Sequence, residues 1–293
     1  MRHALVFGGS GQIGRPVIDR LRRNGWRVTA VSREPRNDMP SVQWLRGDFA
    51  VMPALPGDVE AIVSCGPLDH FAQWYCDARV ASPCVVAFGS TSIDTKRGSA
   101  DPYERDLARR LREGEDAVFS HAHVRGARAA VLRPTLVYGA GRDATLTRIA
   151  QLARQWRRFV LPRRAIGLRQ PVHVDDLADA ALACIGREAS AGHAYALGGG
   201  ETLPYREMVA RMLASLDPPI TVTEVPGPAF QLALLAAQAT GRMTGLGESA
   251  VARMRDDLVF DLGPARRDLD YAPRLFRPTA AMFDPHGING DLD

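Results

Sequence analysis

The chain has 293 residues, 46% of them hydrophobic and 24% charged, with a formal net charge of +4. That balance excludes a fibrous or disordered chain and leaves room for one two-part enzyme or two small domains. The positive charge is almost all arginine, Lys96 being the sole lysine; arginines alternate with acids along helical patterns, so no basic tract points to nucleic acid.

From the N-terminus, short β-like runs alternate with helical patterns. Strands are predicted over 4–7, 27–32, 42–46, 61–65, 84–88 and 129–132, and helices over 13–24, 72–81 and 103–120. Strands that are apolar throughout, separated by helices, predict an α/β fold: a Rossmann-type doubly wound parallel sheet covered on both faces. Ligands of such sheets bind at the C-terminal edge of the strands.

After Pro134 the pattern loosens. A helix is predicted over 145–158, a strand over 171–175, a helix over 177–185, a strand over 194–197, a turn at Gly198-Gly199-Gly200 and a helix over 204–216. The expected organisation is a nucleotide domain over 1–140, a substrate-side segment over 141–170 and a return to the first domain over 171–197. Residues 198–293 form mainly a smaller, discontinuous C-terminal substrate domain and tail. A cleft between the two parts is the expected substrate site. The most lipid-like stretch, 229–239, is too short to span a bilayer. It is expected to cover a core or an interface, with peripheral membrane or partner contact as the alternative. The polar end 290–293 is expected to be disordered.

Cys65, Cys76, Cys84 and Cys184 lack Cys-x-x-Cys spacing and read as reduced thiols, giving neither a disulfide framework nor a metal site. With the glycine motif starting a few residues after Met1, no signal peptide is expected and the expected location is cytoplasmic.

Gly8, Gly11 and Gly14 form a Gly-x-x-Gly-x-x-Gly motif between the first strand and the first helix. Missing β-carbons permit the tight turn and let a pyrophosphate approach the backbone. The helix beginning at Gln12-Ile13-Gly14 then turns its positive end to the phosphates. The required strand and helix flank the motif, which makes it a dinucleotide cradle. At the end of the second strand an NAD site usually carries Asp or Glu; this chain has Ser32 and Arg33, with Arg36 beyond. A hydroxyl and guanidinium there suit a 2′-phosphate, so NADP is the expected cofactor and NAD the alternative. Asp48 is a candidate for the adenine amino group, and Cys65-Gly66-Pro67 for the ribose and pyrophosphate.

These residues, with Ser90-Thr91-Ser92, Leu132-Arg133-Pro134-Thr135-Leu136-Val137-Tyr138-Gly139, Arg169 through Asp176, Asp257 through Asp261 and Tyr271 through Phe276, resemble the extended short-chain dehydrogenase/reductase superfamily. The likeness is to its NAD-dependent epimerase/dehydratase branch and covers most of the chain. The resemblance implies that Pro134 to Val137 lie along the nicotinamide and that Arg142 and Arg169 face the substrate, which is a small molecule such as a nucleotide sugar. It also implies that Asp175 and Asp176 fix the junction with the small domain, and that the 103–120 helix region pairs two copies. Read from the residues alone, Asp175 caps a helix starting at Leu177.

That superfamily usually carries a Tyr with a Lys four residues on, which a helix places on one face. The ammonium lowers the phenol pKa so that the tyrosinate can exchange a proton. None of Tyr75, Tyr103, Tyr138, Tyr195, Tyr205 and Tyr271 has Lys at that spacing. Tyr103 is nearest by location, with Leu107 in the lysine place. A second register, set on Glu115, puts Leu107 and Leu111 where the pair belongs. Ser90, with Thr91 as substitute, is the candidate hydroxyl for the reacting oxygen. Two functions follow. One is an atypical NADP-dependent oxidoreductase or epimerase using Ser90 with or without Tyr103. The other is a dinucleotide-binding sensor, assembly factor or scaffold subunit without that chemistry.

Overall fold

The computed structural model describes residues 1–230 and 253–284. Positions 231–239 of the apolar stretch, and the 290–293 end, lie outside them. The chain divides into two compact units, the first built from Met1–Thr135, Val174–Leu197 and Phe260–Pro273, the second from Leu136–His173, Gly198–Val259 and Arg274–Asp293.

The first unit holds a parallel sheet of seven strands. They are β1 (His3–Phe7), β2 (Arg27–Ser32), β3 (Val42–Arg46), β4 (Ala61–Ser64), β5 (Cys84–Phe88), β6 (Arg128–Pro134) and β11 (His193–Leu197), in the order β11-β6-β5-β4-β1-β2-β3. β1, β4 and β5 are buried along their whole length, which is why they read as unbroken apolar runs. The order reverses between β1 and β4, and their C-terminal ends form the switch point where such sheets bind ligands.

Helices α1 (Gly14–Arg23), α2 (Leu68–Asp77), α3 (Ser92–Thr95), α4 (Pro102–Val124), α6 (Val174–Gly186) and α8 (Gly263–Leu269) complete this unit. Helix α2 starts four residues before the sequence reading placed it. Its buried Leu68, Phe71, Ala72 and Tyr75 follow the i, i+3, i+4, i+7 spacing from Leu68. One face of the sheet packs Leu5, Phe7, Ile62, Val85, Ala87 and Val131 against Phe71, Tyr75, Val118 and Ala122 of α2 and α4.

The predicted 171–175 strand is shorter and passes straight into a helix. Val174 opens α6, so Asp175 stands in its first turn and does not cap a helix at Leu177. Asp175 instead accepts from Arg20 of α1 at 3.0 Å, and Asp179 accepts from the same guanidinium at 2.7 Å. These pairs stitch α1 to α6.

The second unit is built from short pieces. Strand β7 (Val137–Tyr138) pairs in parallel with β10 (Val172–His173), β8 (Phe159–Pro162) with β13 (Val222–Val225), and β9 (Leu168–Arg169) lies antiparallel to β12 (Leu203–Pro204). Helices α5 (Leu146–Trp156) and α7 (Tyr205–Ala214) cover a core of Tyr138, Leu146, Ala150, Leu161, Met208, Met212, Phe276 and Phe283.

Candidate functional site

At the switch point Gly8 takes φ +68°, and a β-carbon there would stand 2.9 Å from the Cys65 carbonyl carbon. Gly14 is tighter still: its β-carbon would fall 2.2 Å from the Gly8 carbonyl oxygen. No side chain fits at either position. The Gly11 N–H closes the turn on the Gly8 carbonyl at 2.9 Å, whereas the N–H groups of Gln12 and Ile13 make no bond with the described residues. Helix α1 has neither a side-chain cap nor an acid in its first turn, so its positive end is left for an anion. The Gln12 Oε1 and Ser64 Oγ atoms are buried beside this turn without a hydrogen-bond partner. An open turn of free N–H groups at a helix end, with the Ser64 hydroxyl able to donate beside it, fits a dinucleotide pyrophosphate.

The end of β2 carries the groups that would read the adenosine side. Ser32 is buried and its hydroxyl donates to the Ser10 hydroxyl at 3.2 Å. Arg33 is exposed beside it, and Arg46 of β3 is the register partner of Ser32. The Arg36 guanidinium lies 5.5 Å from the centre of the Trp44 ring, with its Nε buried and unpaired. The Trp44 ring in turn abuts Gly9, 3.2 Å from where a β-carbon would stand. Trp44 and Arg46 escaped the sequence reading, because their place beside the cradle is set by the pairing of β3 with β2.

Asp48 accepts from the N–H groups of Val51 and Ala50 at 2.8 and 2.9 Å, bonds that hold its carboxyl below the usual carboxylate range. It closes its own loop, leaving its second oxygen for a ligand. The Cys65 thiol is pushed up by burial and is no nucleophile. Gly66 lies against Phe49, and Pro67 immediately precedes α2.

On the β5 side the candidates separate. The Ser90 hydroxyl accepts from the Ser92 N–H at 3.1 Å, leaving its own proton to donate elsewhere. Thr91 is buried, and its hydroxyl donates to the Pro134 carbonyl at 3.1 Å. That bond ties the β5 loop to β6. Tyr103 occupies the first turn of α4 with its side chain 71% exposed. Its backbone N–H, not its phenol, is used, donating to the capping Asp101 at 2.9 Å.

Glu115, buried on α4, receives two hydrogen bonds from the Arg133 guanidinium of β6, the Nε bond at 2.9 Å. Burial would lower the Arg133 pKa, but the Glu115 bonds override it and raise it. The pair fixes the rotation of α4 against the sheet. One and two turns earlier the same helical row carries Leu111 and Leu107, and Leu111 packs on the sheet's apolar core. At the two positions before Glu115 on this row, α4 presents only aliphatic side chains. Lys96 is committed elsewhere, 3.5 Å from the buried Glu104 carboxylate.

Pro134 ends β6 in the first unit, whereas Val137, Arg142 and Arg169 belong to the second. Arg142 is exposed. Arg169 is 4% exposed, and its guanidinium donates to the carbonyls of Leu168, Asp256 and Arg253 while lying 5.3 Å from the Tyr205 ring centre. Those bonds pin the 253–256 segment, so its donors are engaged by backbone. No group of His, Cys, Asp and Glu able to hold a metal occurs among the described residues.

No family model matches the chain. Across 92% of its length it is 25% identical to a 2-alkyl-3-oxoalkanoate reductase of Stenotrophomonas maltophilia, covering 94% of that protein. In solved structures it resembles UDP-glucuronic acid 4-epimerase from Bacillus cereus in complex with NAD, with TM-score 0.71, 12% identity and 98% of each chain covered. It also resembles the Bordetella bronchiseptica enzyme WbmH in complex with NAD+, with TM-score 0.68 and 15% identity over 98% of this chain and 100% of that one. The chain shares the fold of these two proteins. On that fold this chain carries the glycine turn, Ser90 after β5, and Leu107 and Leu111 on the α4 row that includes Glu115.

Proposed function

We propose that the chain binds a nicotinamide dinucleotide in the Gly8–Gly14 cradle and acts as an oxidoreductase or epimerase on a carbonyl or carbinol carbon. The observation that carries this reading is the Gly8/Gly14 turn, whose shape no side chain could share and whose free N–H groups face the switch point. The solved neighbours with NAD and the reductase relative agree with it. When bound, the nicotinamide supplies a hydride donor or acceptor. Ser90 would donate its free hydroxyl proton to the substrate oxygen, with Thr91 holding that loop on Pro134. Nucleotide sugars are the first substrates to test, since UDP-glucuronic acid 4-epimerase shares the fold; 3-oxoacids follow, given the reductase relative.

The finer cofactor choice is NADP. Support comes from Ser32 and Arg33 in the place of an acid, and from the unpaired Arg36 Nε stacked on Trp44. Titration with NADPH and NADH, read by nucleotide fluorescence, tests both levels. Binding of neither cofactor overturns the cradle; equal binding of both, unchanged in Arg33→Ala, overturns the phosphate preference.

The Leu107–Leu111 row favours a second reading, a dinucleotide-binding protein without turnover. Tight cofactor binding with no redox change across nucleotide sugars and 3-oxoacids would select it and reject the enzyme.

A further inference from the structure

Lys96 is the chain's one lysine, in a sequence that otherwise uses arginine wherever Lys or Arg would serve. It stands directly after α3, the short helix that follows Ser90 and Thr91, and its N–H donates to the Ser92 carbonyl at 3.1 Å. Its ammonium lies 3.5 Å from Oε1 of Glu104, an acid in the first turn of α4 whose side chain is 7% exposed. The other carboxylate oxygen, Oε2, accepts from the Ser99 hydroxyl at 2.7 Å. That hydroxyl in turn accepts from the Asp101 N–H at 3.2 Å. Glu104 thus gathers the segment between α3 and α4 onto the start of α4. A compact ammonium suits a carboxylate whose second oxygen is already engaged, where a forked guanidinium would compete for both.

A second tie holds α3 from its other side. Asp94 lies 3.6 Å from Arg133 of β6 and 3.9 Å from Arg112 of α4. Arg112 follows Glu104 by about 12 Å of helix. An acid of α3 meets a base of α4 at one point, and Lys96 meets an acid at the other, which fixes both the position and the direction of α3. Sliding it along α4 would carry Asp94 toward Glu104, like charge to like. The two ties are unequal. Asp94 is 52% exposed and its pairs are screened by water, whereas Glu104 is buried and needs its counter-charge.

What α3 presents to the β5 loop is the Ser92 N–H, which donates to the Ser90 hydroxyl oxygen at 3.1 Å. Thr91 roots that loop on the Pro134 carbonyl through its N–H at 3.2 Å and its hydroxyl at 3.1 Å. Those bonds hold the backbone and leave the Ser90 hydroxyl free to turn. The Ser92 bond occupies one of its lone pairs and so sets the direction of its proton. We propose that Lys96 and Glu104 are positioning residues: their ion pair locks α3 on α4 and thereby aims the Ser90 hydroxyl at the substrate oxygen. That role rests on the reading of Ser90 given above, and neither side chain exchanges a proton in it.

The test is turnover of a 2-alkyl-3-oxoalkanoate or of UDP-glucuronic acid by the cofactor-loaded full chain, with amide hydrogen exchange across 90–101 read alongside. Lys96→Met and Glu104→Gln should each lower kcat at least about fivefold, with KM and dinucleotide affinity within about twofold of the parent. Exchange at the Lys96 and Ser99 N–H groups should rise at least about tenfold in both. The deciding measurement is Lys96→Met combined with Ser90→Ala, which should turn over no more slowly than Ser90→Ala alone. An equal further loss in the Ser90→Ala background overturns the proposal, as does an unchanged kcat in Lys96→Met. Each variant is first shown to keep the parent's unfolding midpoint, and Lys96→Gln, which still offers the carboxylate a donor, serves if Lys96→Met does not. A parent chain without turnover on either substrate rejects the enzyme reading and the part of Ser90 with it. The lock is then decided by exchange alone, and unchanged protection across 90–101 in Lys96→Met overturns it.

Discussion

Two regions of the same sheet edge have been treated differently. At the β1–α1 turn, backbone, helix end and neighbouring strand converge so closely that Gly14 admits no β-carbon. At the β5–α4 side, an equally firm frame, the Glu115–Arg133 pair, displays leucines. The first region is specified by what cannot be added, the second by what has been left out. The glycine turn and the leucine row are therefore separable features of this edge, because they draw on different strands and different helices.

The largest expected effect attacks the first region. Gly14→Ala should weaken dinucleotide binding at least about a hundredfold, since backbone cannot yield 2.2 Å overlaps cheaply. Gly57→Ala, which meets nothing within 4 Å, should leave it unaltered. Comparable affinity in the two variants would dissolve the distinction drawn above. Glu115→Gln attacks the frame of the second region, leaving the half-buried Arg133 guanidinium only the exposed Asp94, 3.6 Å away, as an ion-pair partner among the described residues. A loss of about 2–4 kcal/mol in urea unfolding is expected, with cofactor affinity within about twofold if the two regions are independent.

Smaller effects sharpen the comparison. Ser90→Ala should reduce turnover about tenfold or more, as expected for one hydrogen bond to a reacting oxygen, whereas Tyr103→Phe should alter it less than twofold. Matched losses in both would return Tyr103 to the site despite its exposure. At the opposite end of β1, burial and the Arg27 charge lower the His3 pKa from 6.5, and the ring bonds both Thr29 and Arg27. The unfolded chain then binds the extra proton first. Stability should be full above about pH 6.5 and decline as pH falls below it, by about 1 kcal/mol or less. A urea midpoint identical at pH 7.5 and 5.5 would contradict this.

Strands β1, β4 and β5 were legible because each is buried along its whole length and leaves an unbroken apolar run. The cradle was legible because its glycines are local in sequence. Helix α2 begins earlier than the 72–81 pattern although Leu68, Phe71, Ala72 and Tyr75 spell its buried face, with Pro67 immediately before it. The paired two-residue strands of the second unit have no period to detect. Nor could spacing reveal that Trp44 supports Arg36 or that Arg133 meets Glu115, since those contacts join residues through the sheet.

The third segment of the first unit, Phe260–Pro273, carries a consequence for synthesis. Its helix α8 includes buried Ala265 and Leu269, and Asp268 accepts a hydrogen bond from Tyr195 of edge strand β11 at 3.0 Å. As the chain emerges from a ribosome, the cradle strand is made almost first, yet its sheet lacks β11 until residue 197 and that strand's covering helix until residue 269. Most of the second unit is translated in between. The first unit therefore cannot mature as an early, self-contained domain, and a nascent chain stalled before residue 260 would expose an unfinished sheet edge to chaperones.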